Sequence, residues 1–320
     1  MHRIAIIGLG LMGGSFGMAL KRAGINATIV GHDVNFESAS KAKRRGAIDR
    51  VEWNLPKAVE AADLVVLAVP VGAIKTLLSQ IADHLKEGCV VTDVASTKEQ
   101  VLAWAERALP AGISFIGGHP MAGREVSGIE SSTADLLAGC TYCLCPARSA
   151  AEEAVEMVTS TVRAIRAHPL FIDPAEHDSY VAAISHLPYL AAVSLVRVSG
   201  KSSSWQDMAQ LAASGFRDTT RVASSNPGMY RDICGTNRAN IARWLEAYIA
   251  ELRDLREALL EEDEGMLDEM LQEGKQIRDD WLAKKLEAPV ANIELPSTAS
   301  ELRQVFWGNL GIGRRKQVKR

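Results

Sequence analysis

Short apolar runs alternate with amphipathic stretches along the first half of the chain. Repeated alternation of strand and helix predicts a doubly wound α/β domain, placed at residues 1–173. Near-continuous apolar character is typical of parallel strands that are covered on both faces. Strands are predicted at Arg3–Ile7, Ala27–Val30, Leu64–Val69, Val90–Asp93, Ser114–Gly117, Thr141–Cys145 and Leu170–Ile172. Helices are predicted at Gly14–Ala23, Glu37–Arg45, Ile74–Leu85 and Ala151–Arg166.

After Pro174 the pattern becomes helical. In one long stretch, apolar residues recur at steps of four and three, from Ile241 to Leu259, which is a heptad-like seam. We therefore predict an all-helical domain at residues 174–288 that forms a symmetric homodimer through this seam and the last helix. The candidate substrate ligands described below also fall in this domain. An extended basic tail is predicted at residues 289–320. The predicted helices are Glu176–Val198, Trp205–Ser214, Asn237–Glu262 and Met266–Leu286.

Composition narrows the class of protein. The 320-residue chain has 47% hydrophobic residues, 23% charged residues and a net charge of -3. This charge gives no general attraction to nucleic acids or anionic membranes, and no apolar run approaches the roughly 20 residues of a membrane span. Five cysteines, an odd number, argue against a disulfide framework and indicate the reducing cytoplasm. The closely spaced Cys140, Cys143 and Cys145 lack the further ligands of a zinc site, so no metal is expected.

A glycine-rich motif follows the first predicted strand. In a G-x-G-x-x-G motif the first glycine permits a tight turn, the second lets a pyrophosphate approach the backbone, and the third lets the next helix pack closely. The N-terminus of that helix would face the phosphates. Val69 and Pro70, at the end of the third predicted strand, are further candidates for cofactor binding. The motif predicts that a dinucleotide contacts Gly8, Gly10, Leu11, Met12 and Gly13.

An acidic residue follows the second predicted strand. Asp33 lies 20 residues beyond Gly13. A carboxylate at this position accepts hydrogen bonds from the ribose hydroxyls and repels a 2′-phosphate, so NAD is predicted in preference to NADP. The alternative is a glycine-rich turn beside an exposed aspartate that holds no ligand.

Four later motifs carry a resemblance to a known family. They are Thr92-Asp93-Val94-Ala95-Ser96-Thr97-Lys98, Gly117-Gly118-His119-Pro120-Met121-Ala122-Gly123, Ile184-Ser185-His186-Leu187-Pro188 and Ser214-Gly215-Phe216-Arg217-Asp218-Thr219-Thr220-Arg221. In this order they resemble the prephenate/arogenate dehydrogenase family of tyrosine biosynthesis, from about Arg3 to Leu286. Tyr189 stands where many members that prefer prephenate have His, and Arg124 and Val126 also depart from the commoner residues. The choice between the two substrates therefore stays open.

The resemblance implies an oxidative decarboxylation with NAD as hydride acceptor. The substrate is a cyclohexadienol: its carbinol carbon loses a hydride, its hydroxyl loses a proton, and carbon dioxide leaves as the ring becomes aromatic. His119, at the end of a strand, is predicted to be the base, because an imidazole accepts a proton near neutrality. The family pattern places Ser96 beside the reacting hydroxyl, although Ser96-x-x-Glu99 also fits a helix capping box.

Three further side chains are predicted to bind the substrate. Arg221 is the candidate carboxylate ligand, since a guanidinium forms bidentate pairs. Arg217 lies four residues before Arg221, so the two side chains would share one face of a helix; the alternative for Arg217 is a local ion pair. His186 matches a family residue near the substrate, the alternative being a buried core histidine. His177 and Asp178 begin a predicted helix and are interpreted as exposed capping groups.

Two other functions compete with this one. The glycine motif also resembles that of the β-hydroxyacid dehydrogenases, which act on small 3-hydroxy acids. A non-catalytic NAD-binding sensor could use the same fold. Such a sensor has no need of His119, Ser96 and Arg221 together, so their presence argues for an enzyme.

Overall fold

The computed structural model describes residues 2–283. The predicted basic tail at residues 289–320 and the end of the predicted helix Met266–Leu286 lie outside these residues. Within them the chain forms one eight-stranded sheet. Its strands are β1 (Arg3–Ile7), β2 (Thr28–His32), β3 (Arg50–Val51), β4 (Leu64–Leu67), β5 (Val90–Asp93), β6 (Ser114–Pro120), β7 (Thr141–Pro146) and β8 (His168–Phe171).

The spatial order of the strands is β3-β2-β1-β4-β5-β6-β7-β8. Strands β1 to β6 are mutually parallel, β7 runs antiparallel to β6, and β8 is parallel to β7. The change of direction between β1 and β4 is the topological switch point at which doubly wound sheets bind ligands, beyond the carboxyl ends of the strands. The antiparallel β7 brings Cys143 opposite His119, a pairing that the apolar pattern did not indicate.

Helices cover both faces of the sheet. Side chains of β1, β4 and β5 pack with Ile74, Leu78 and Val101 in one buried cluster, and each residue of β4 is buried. This burial on both faces explains why the strands are apolar throughout. The helices are α1 (Leu11–Arg22), α2 (Phe36–Arg44), α3 (Leu55–Val59), α4 (Val71–Ile81), α5 (Glu99–Ala108) and α6 (Glu152–Ala164).

The chain from Pro174 onward is helical, as predicted. The predicted helix Glu176–Val198 contains a π-helical segment, Ala182–His186, just before Pro188, which cannot donate a backbone hydrogen bond. The predicted helix Trp205–Ser214 is wrong at its end, because a new helix begins at Ser214. The helices are α7 (Pro174–Val181), α8 (Leu187–Gly200), α9 (Trp205–Leu211), α10 (Ser214–Thr220), α11 (Pro227–Thr236), α12 (Arg238–Leu260) and α13 (Glu264–Leu282).

The chain divides into two compact units, Met1–Ala242 and a second unit that begins at Arg243. The predicted fold class, a Rossmann-like doubly wound sheet followed by helices, is confirmed. The domain boundary predicted after residue 173 stays a prediction. The boundary predicted after residue 288 lies outside the described residues.

One helical stretch, Pro174–Gly200, is long and apolar enough to cross a membrane, judged by length and composition alone. Its most apolar window of 18 residues has a mean hydropathy of 1.5. Of the residues in that window, 28% are buried within the described part of the chain.

Candidate active site

The glycine-rich turn after β1 fits a dinucleotide pyrophosphate. Gly8 has a φ of +93°, and a Cβ there would lie 2.4 Å from the carbonyl oxygen of Ala68. A Cβ on Gly13 would lie 1.9 Å from the carbonyl oxygen of Gly8, so α1 can approach the strand only because this residue is glycine. A Cβ on Gly10 would meet open space. No side chain of the described residues caps the N-terminus of α1, which leaves its N–H groups for phosphate oxygens.

Asp33 lies beside this turn at the end of β2. Its Oδ2 accepts a hydrogen bond of 2.7 Å from the backbone N–H of Leu9, and its Oδ1 accepts one of 2.7 Å from that of Asn35. Each carboxylate oxygen has two acceptor lone pairs. Both oxygens can therefore still accept a ribose hydroxyl while the backbone holds the carboxylate in place.

Basic side chains of the α2 region are engaged by other groups. Lys41 forms ion pairs with Glu37 and Glu130, which raise its pKa. Arg45 donates a hydrogen bond of 3.0 Å to the carbonyl oxygen of Ser132. These two cations are thus held by neighbouring groups, an arrangement that favours NAD over a cofactor with a 2′-phosphate.

A cavity of ≈ 940 Å³ opens at the carboxyl edge of the sheet, within the size range of small-molecule sites. The ends of β1, β4, β5 and β6 contribute residues 10–12, 68–71, 94–96 and 119–128 to its wall, and the helical segment supplies the remainder. The cavity therefore joins the glycine-rich turn to the later motifs. The predicted site residues that line it are Gly10, Leu11, Met12, Val69, Pro70, Ser96 and His119.

His119 is the half-buried first member of a hydrogen-bonded chain that leads into the core. Its Nδ1 lies 2.8 Å from Nε2 of His177, and Nδ1 of His177 lies 2.8 Å from Oδ1 of Asp178. His177 and Asp178 are each 1% exposed. Their interpretation as exposed capping groups is therefore wrong. The periodicity of α7 alone could not indicate that this turn packs against the start of α5.

His119 is held in its neutral form. Burial lowers its pKa well below the usual value, and the nearby His177, Lys98 and His186 lower it further. Each of these neighbours disfavours a positive charge on the His119 ring. A neutral imidazole at pH 7 has one nitrogen with a free lone pair, so it can accept a proton.

Ser96 lies in the connection between β5 and α5 and lines the cavity. The capping-box alternative is wrong, because α5 begins at Glu99 and a different residue caps it. The carboxylate of Asp178 accepts hydrogen bonds from the backbone N–H groups of Lys98, at 2.7 Å, and Glu99, at 3.0 Å. The hydroxyl of Ser96 is thus free of a capping role.

A buried ion pair, which the sequence reasoning missed, joins β5 to β6. Lys98 and Asp93 are fully buried and bonded to each other. Lys98 Nζ also donates to the carbonyl oxygen of Gly118 at 2.7 Å, and Asp93 accepts from the N–H groups of Gly118 and Ala95 at 3.0 and 2.9 Å. The pair fixes the backbone on either side of the cavity, next to His119. The available signal in the sequence was the pair of charged residues, Asp93 and Lys98, at and just after the end of an apolar strand.

The two predicted arginine ligands have different surroundings. Arg221 forms an ion pair with Glu125, which lines the cavity. Arg217 pairs with Asp218 at 3.2 Å, and its side chain is 74% exposed. Neither arginine is among the described residues that line the cavity. Arg221 therefore contacts the cavity wall through Glu125. For Arg217 the structure favours the alternative role, a local ion pair with Asp218.

His186 lies behind the cavity wall. Its ring is buried, its Nδ1 is 3.3 Å from Nδ2 of Asn237, and its Nε2 has no hydrogen-bond partner among the described residues. Burial lowers its pKa to about 4. Ile184 and Ser185, in the same π-helical segment, line the cavity. The core-histidine alternative is favoured here.

Tyr189, the departure from the family pattern, is also behind the wall. Its ring stacks on that of Tyr230, with centroids 3.4 Å apart and planes inclined by 4°. Tyr230 lines the cavity, whereas Tyr189 is buried. Tyr189 thus supports a residue of the wall.

The cysteines provide no reactive centre. All five are unpaired. Burial raises the pKa of Cys143 to about 11, so its thiol stays protonated at neutral pH. Within residues 2–283, no group of three or more His, Cys, Asp and Glu side chains is arranged to hold a metal ion.

Comparison with known proteins assigns the chain to a family. A family model described as the nucleotide-binding domain of prephenate dehydrogenase matches residues 16–170, and one described as its dimerization domain matches residues 173–273. The chain belongs to the prephenate dehydrogenase family. The prephenate dehydrogenase of Bacillus subtilis (strain 168) is 34% identical over 278 residues, which cover 86% of this chain and 75% of that protein.

Solved structures of prephenate dehydrogenase relatives agree with the assignment. The Aquifex aeolicus enzyme, in complex with hydroxyphenyl propionate and NAD+, is similar with a TM-score of 0.82 and 33% identity, over 88% of this chain and 98% of that one. The arogenate dehydrogenase of Synechocystis is similar with a TM-score of 0.75 and 29% identity, over 87% and 99% of the two chains. The resemblance seen in the sequence motifs is therefore confirmed.

Proposed function

We propose that this protein carries out the NAD-dependent oxidative decarboxylation of prephenate, arogenate or both, the dehydrogenase reaction of tyrosine biosynthesis. One observation carries the proposal: the neutral ring of His119 lies in the same cavity as the dinucleotide turn. Membership of the prephenate dehydrogenase family supports the same reaction.

The residues of the cavity divide the chemistry between them. When bound at the glycine-rich turn, NAD supplies the hydride acceptor. His119 takes the proton of the substrate hydroxyl as the carbinol carbon loses its hydride. The electron pair of the breaking bond to the carboxylate then enters the ring, which becomes aromatic. Ser96 orients the hydroxyl, and Arg221 pairs with a substrate carboxylate in place of Glu125.

A steady-state assay that crosses prephenate and arogenate with NAD and NADP tests the proposal. Turnover of either substrate with NAD is the expected result. Activity on small 3-hydroxy acids alone would instead identify a β-hydroxyacid dehydrogenase. Tight NAD binding without turnover of any of these compounds would identify a sensor. Both latter outcomes contradict the proposal.

The cofactor preference is expected to depend on Asp33. The double variant Asp33→Ser/Val34→Arg should lower kcat/KM with NAD by about 10–100-fold, as expected for losing hydrogen bonds to a charged group. It should raise kcat/KM with NADP, because Val34 is 99% exposed and an arginine there can reach a 2′-phosphate.

The single variant Val34→Arg is the matched control for this change. It keeps the Asp33 carboxylate and should retain the preference for NAD. A native protein with the higher kcat/KM for NADP would contradict the assignment of Asp33.

We also propose that two copies form a symmetric homodimer. The family model over residues 173–273 is described as a dimerization domain. The predicted seam and the last helix leave apolar side chains exposed in the single chain, including Leu252 on α12, at 46%, and Leu271 on α13, at 60%. Apolar surface of this kind is typical of an interface between subunits.

Sedimentation of the native protein should give a dimer at micromolar concentration. Leu252→Glu/Leu271→Glu should shift the protein toward monomer, because it places two charges in an apolar interface. Gln272→Glu, which adds a charge at an already polar position of α13, is the matched control and should stay dimeric. A native monomer under these conditions would refute the proposal.

We infer a cytoplasmic location as well. The five unpaired cysteines suit a reducing compartment, where thiols stay reduced.

A further inference from the structure

Asp178 joins two parts of the site that are far apart in sequence. Its Oδ1 lies 2.8 Å from Nδ1 of His177, which in turn reaches His119. The same carboxylate accepts the backbone N–H groups of Lys98 and Glu99, at the start of the helix that follows Ser96. One buried carboxylate thus binds both the imidazole that contacts His119 and the backbone that follows Ser96.

These contacts determine which ring nitrogens carry hydrogen. Backbone N–H groups always donate, so both oxygens of Asp178 act as acceptors. The ring nitrogen that faces Oδ1 must then be the donor, which places the hydrogen of neutral His177 on Nδ1 and makes its Nε2 an acceptor. His119 Nδ1 accordingly donates to His177 Nε2. The free lone pair of neutral His119 is therefore on Nε2.

We propose that Asp178 and His177 are positioning residues that hold His119 in the tautomer whose Nε2 can accept the substrate proton. The proposal rests on the proposed function, in which His119 is the base. A carboxylate that orients a catalytic imidazole through its second nitrogen is a known device, and here an additional imidazole lies between the two groups. Asp178 also fixes the first turn of α5, and with it the connection that carries Ser96.

A purely structural role for Asp178 predicts a different result. Asp173, at the start of the same helix, also accepts two backbone N–H groups, those of Ala175 and Glu176, and it has no part in the chain to His119. If Asp178 served only as a helix cap, its loss would resemble the loss of Asp173. Asp173→Asn is therefore the matched control for Asp178→Asn.

The kinetic experiment compares three variants at saturating NAD. Asp178→Asn, whose amide can donate to His177 and reverse the tautomers, should lower kcat about 10–100-fold with little change in KM, as expected for losing an orienting group. His177→Phe keeps a ring but gives His119 Nδ1 no acceptor, so it should lower kcat to a similar extent while Asp178 still caps α5. Asp173→Asn should keep the native kcat.

A spectroscopic experiment tests the tautomer without using activity. In the native protein labelled with ¹⁵N-histidine, the ring signals of His119, assigned with His119→Asn, should show hydrogen on Nδ1 and none on Nε2. Asp178→Asn should move hydrogen to Nε2. This measurement on the native protein decides the tautomer even where a variant does not fold.

Two results would overturn the proposal. One is hydrogen on Nε2 of His119 in the native protein. The other is a kcat within about threefold of native for both folded variants, far less than the loss of an orienting group produces. If His119→Asn kept full activity while the native tautomer was as stated, the function of His119 as base would fail and the tautomer assignment would stand.

Discussion

Replacing His119 by Asn is expected to lower kcat by about 10²–10⁴-fold, the range for the loss of a general base. Asn is similar in size and still forms hydrogen bonds, so the substrate should bind with a similar KM. It cannot take the hydroxyl proton, so the step that transfers the hydride should slow. Single-turnover measurement of nucleotide reduction reports that step directly. Ser96→Ala should cause a smaller loss, because the serine orients the hydroxyl and takes no proton.

The pH profile provides a second readout of the same change. Burial, followed by His177, Lys98 and His186, lowers the pKa of His119 below its usual value of 6.5. Turnover should therefore hold as the pH falls to 6.5 and decline only below it, where the ring becomes protonated and cannot accept a proton. This acid limb should disappear in His119→Asn. A variant kcat within about threefold of the native value, below the range for general-base catalysis, would make His119 a structural residue.

Arg221→Ala is expected to raise KM by about 10–100-fold, as expected for the loss of a charge-assisted contact with a carboxylate. The ground state and the transition state both make this contact, so kcat should change little. The variant also leaves the Glu125 carboxylate without its partner beside the cavity, which should further repel an anionic substrate. Steady-state kinetics with each substrate measure both constants.

Arg217→Ala is the matched comparison, since it removes the same side chain one helical turn earlier. Its exposed pair with Asp218 is worth roughly 0–1 kcal/mol, so KM should change by less than about fivefold. An equal rise of KM in both variants would show that Arg217 also binds the substrate. An unchanged KM in Arg221→Ala would remove Arg221 from the site.

The sequence was sufficient to locate the glycine-rich turn. The turn at Gly8–Gly13 is local, and Gly8 and Gly13 are each required by a steric condition that the spacing of the motif expresses. The apolar runs of β1, β4 and β5 likewise identified the sheet, because burial on both faces leaves few polar positions. The position of His119 at the carboxyl end of β6 followed from the same pattern.

The other half of the site depends on contacts between segments distant in sequence. Periodicity assigned His177 and Asp178 to a helix but not to a face, and only the packing of α7 against α5 buries them behind His119. The same packing makes Asp178 the cap of α5, whereas the sequence pattern offered Ser96 for that role.

The sequence by itself determined the fold class, the glycine-rich turn and the position of His119 at the end of a strand, because these depend on local backbone geometry and on hydrophobic periodicity. The tertiary structure alone decided the partners of the charged and polar groups. The Lys98–Asp93 pair, the Arg221–Glu125 pair and the chain from His119 to Asp178 join residues by distance and hydrogen bonding. Except for the pairing of Lys98 with Asp93, these contacts link segments that are distant in sequence. The periodicity of one segment cannot indicate which other segment packs against it.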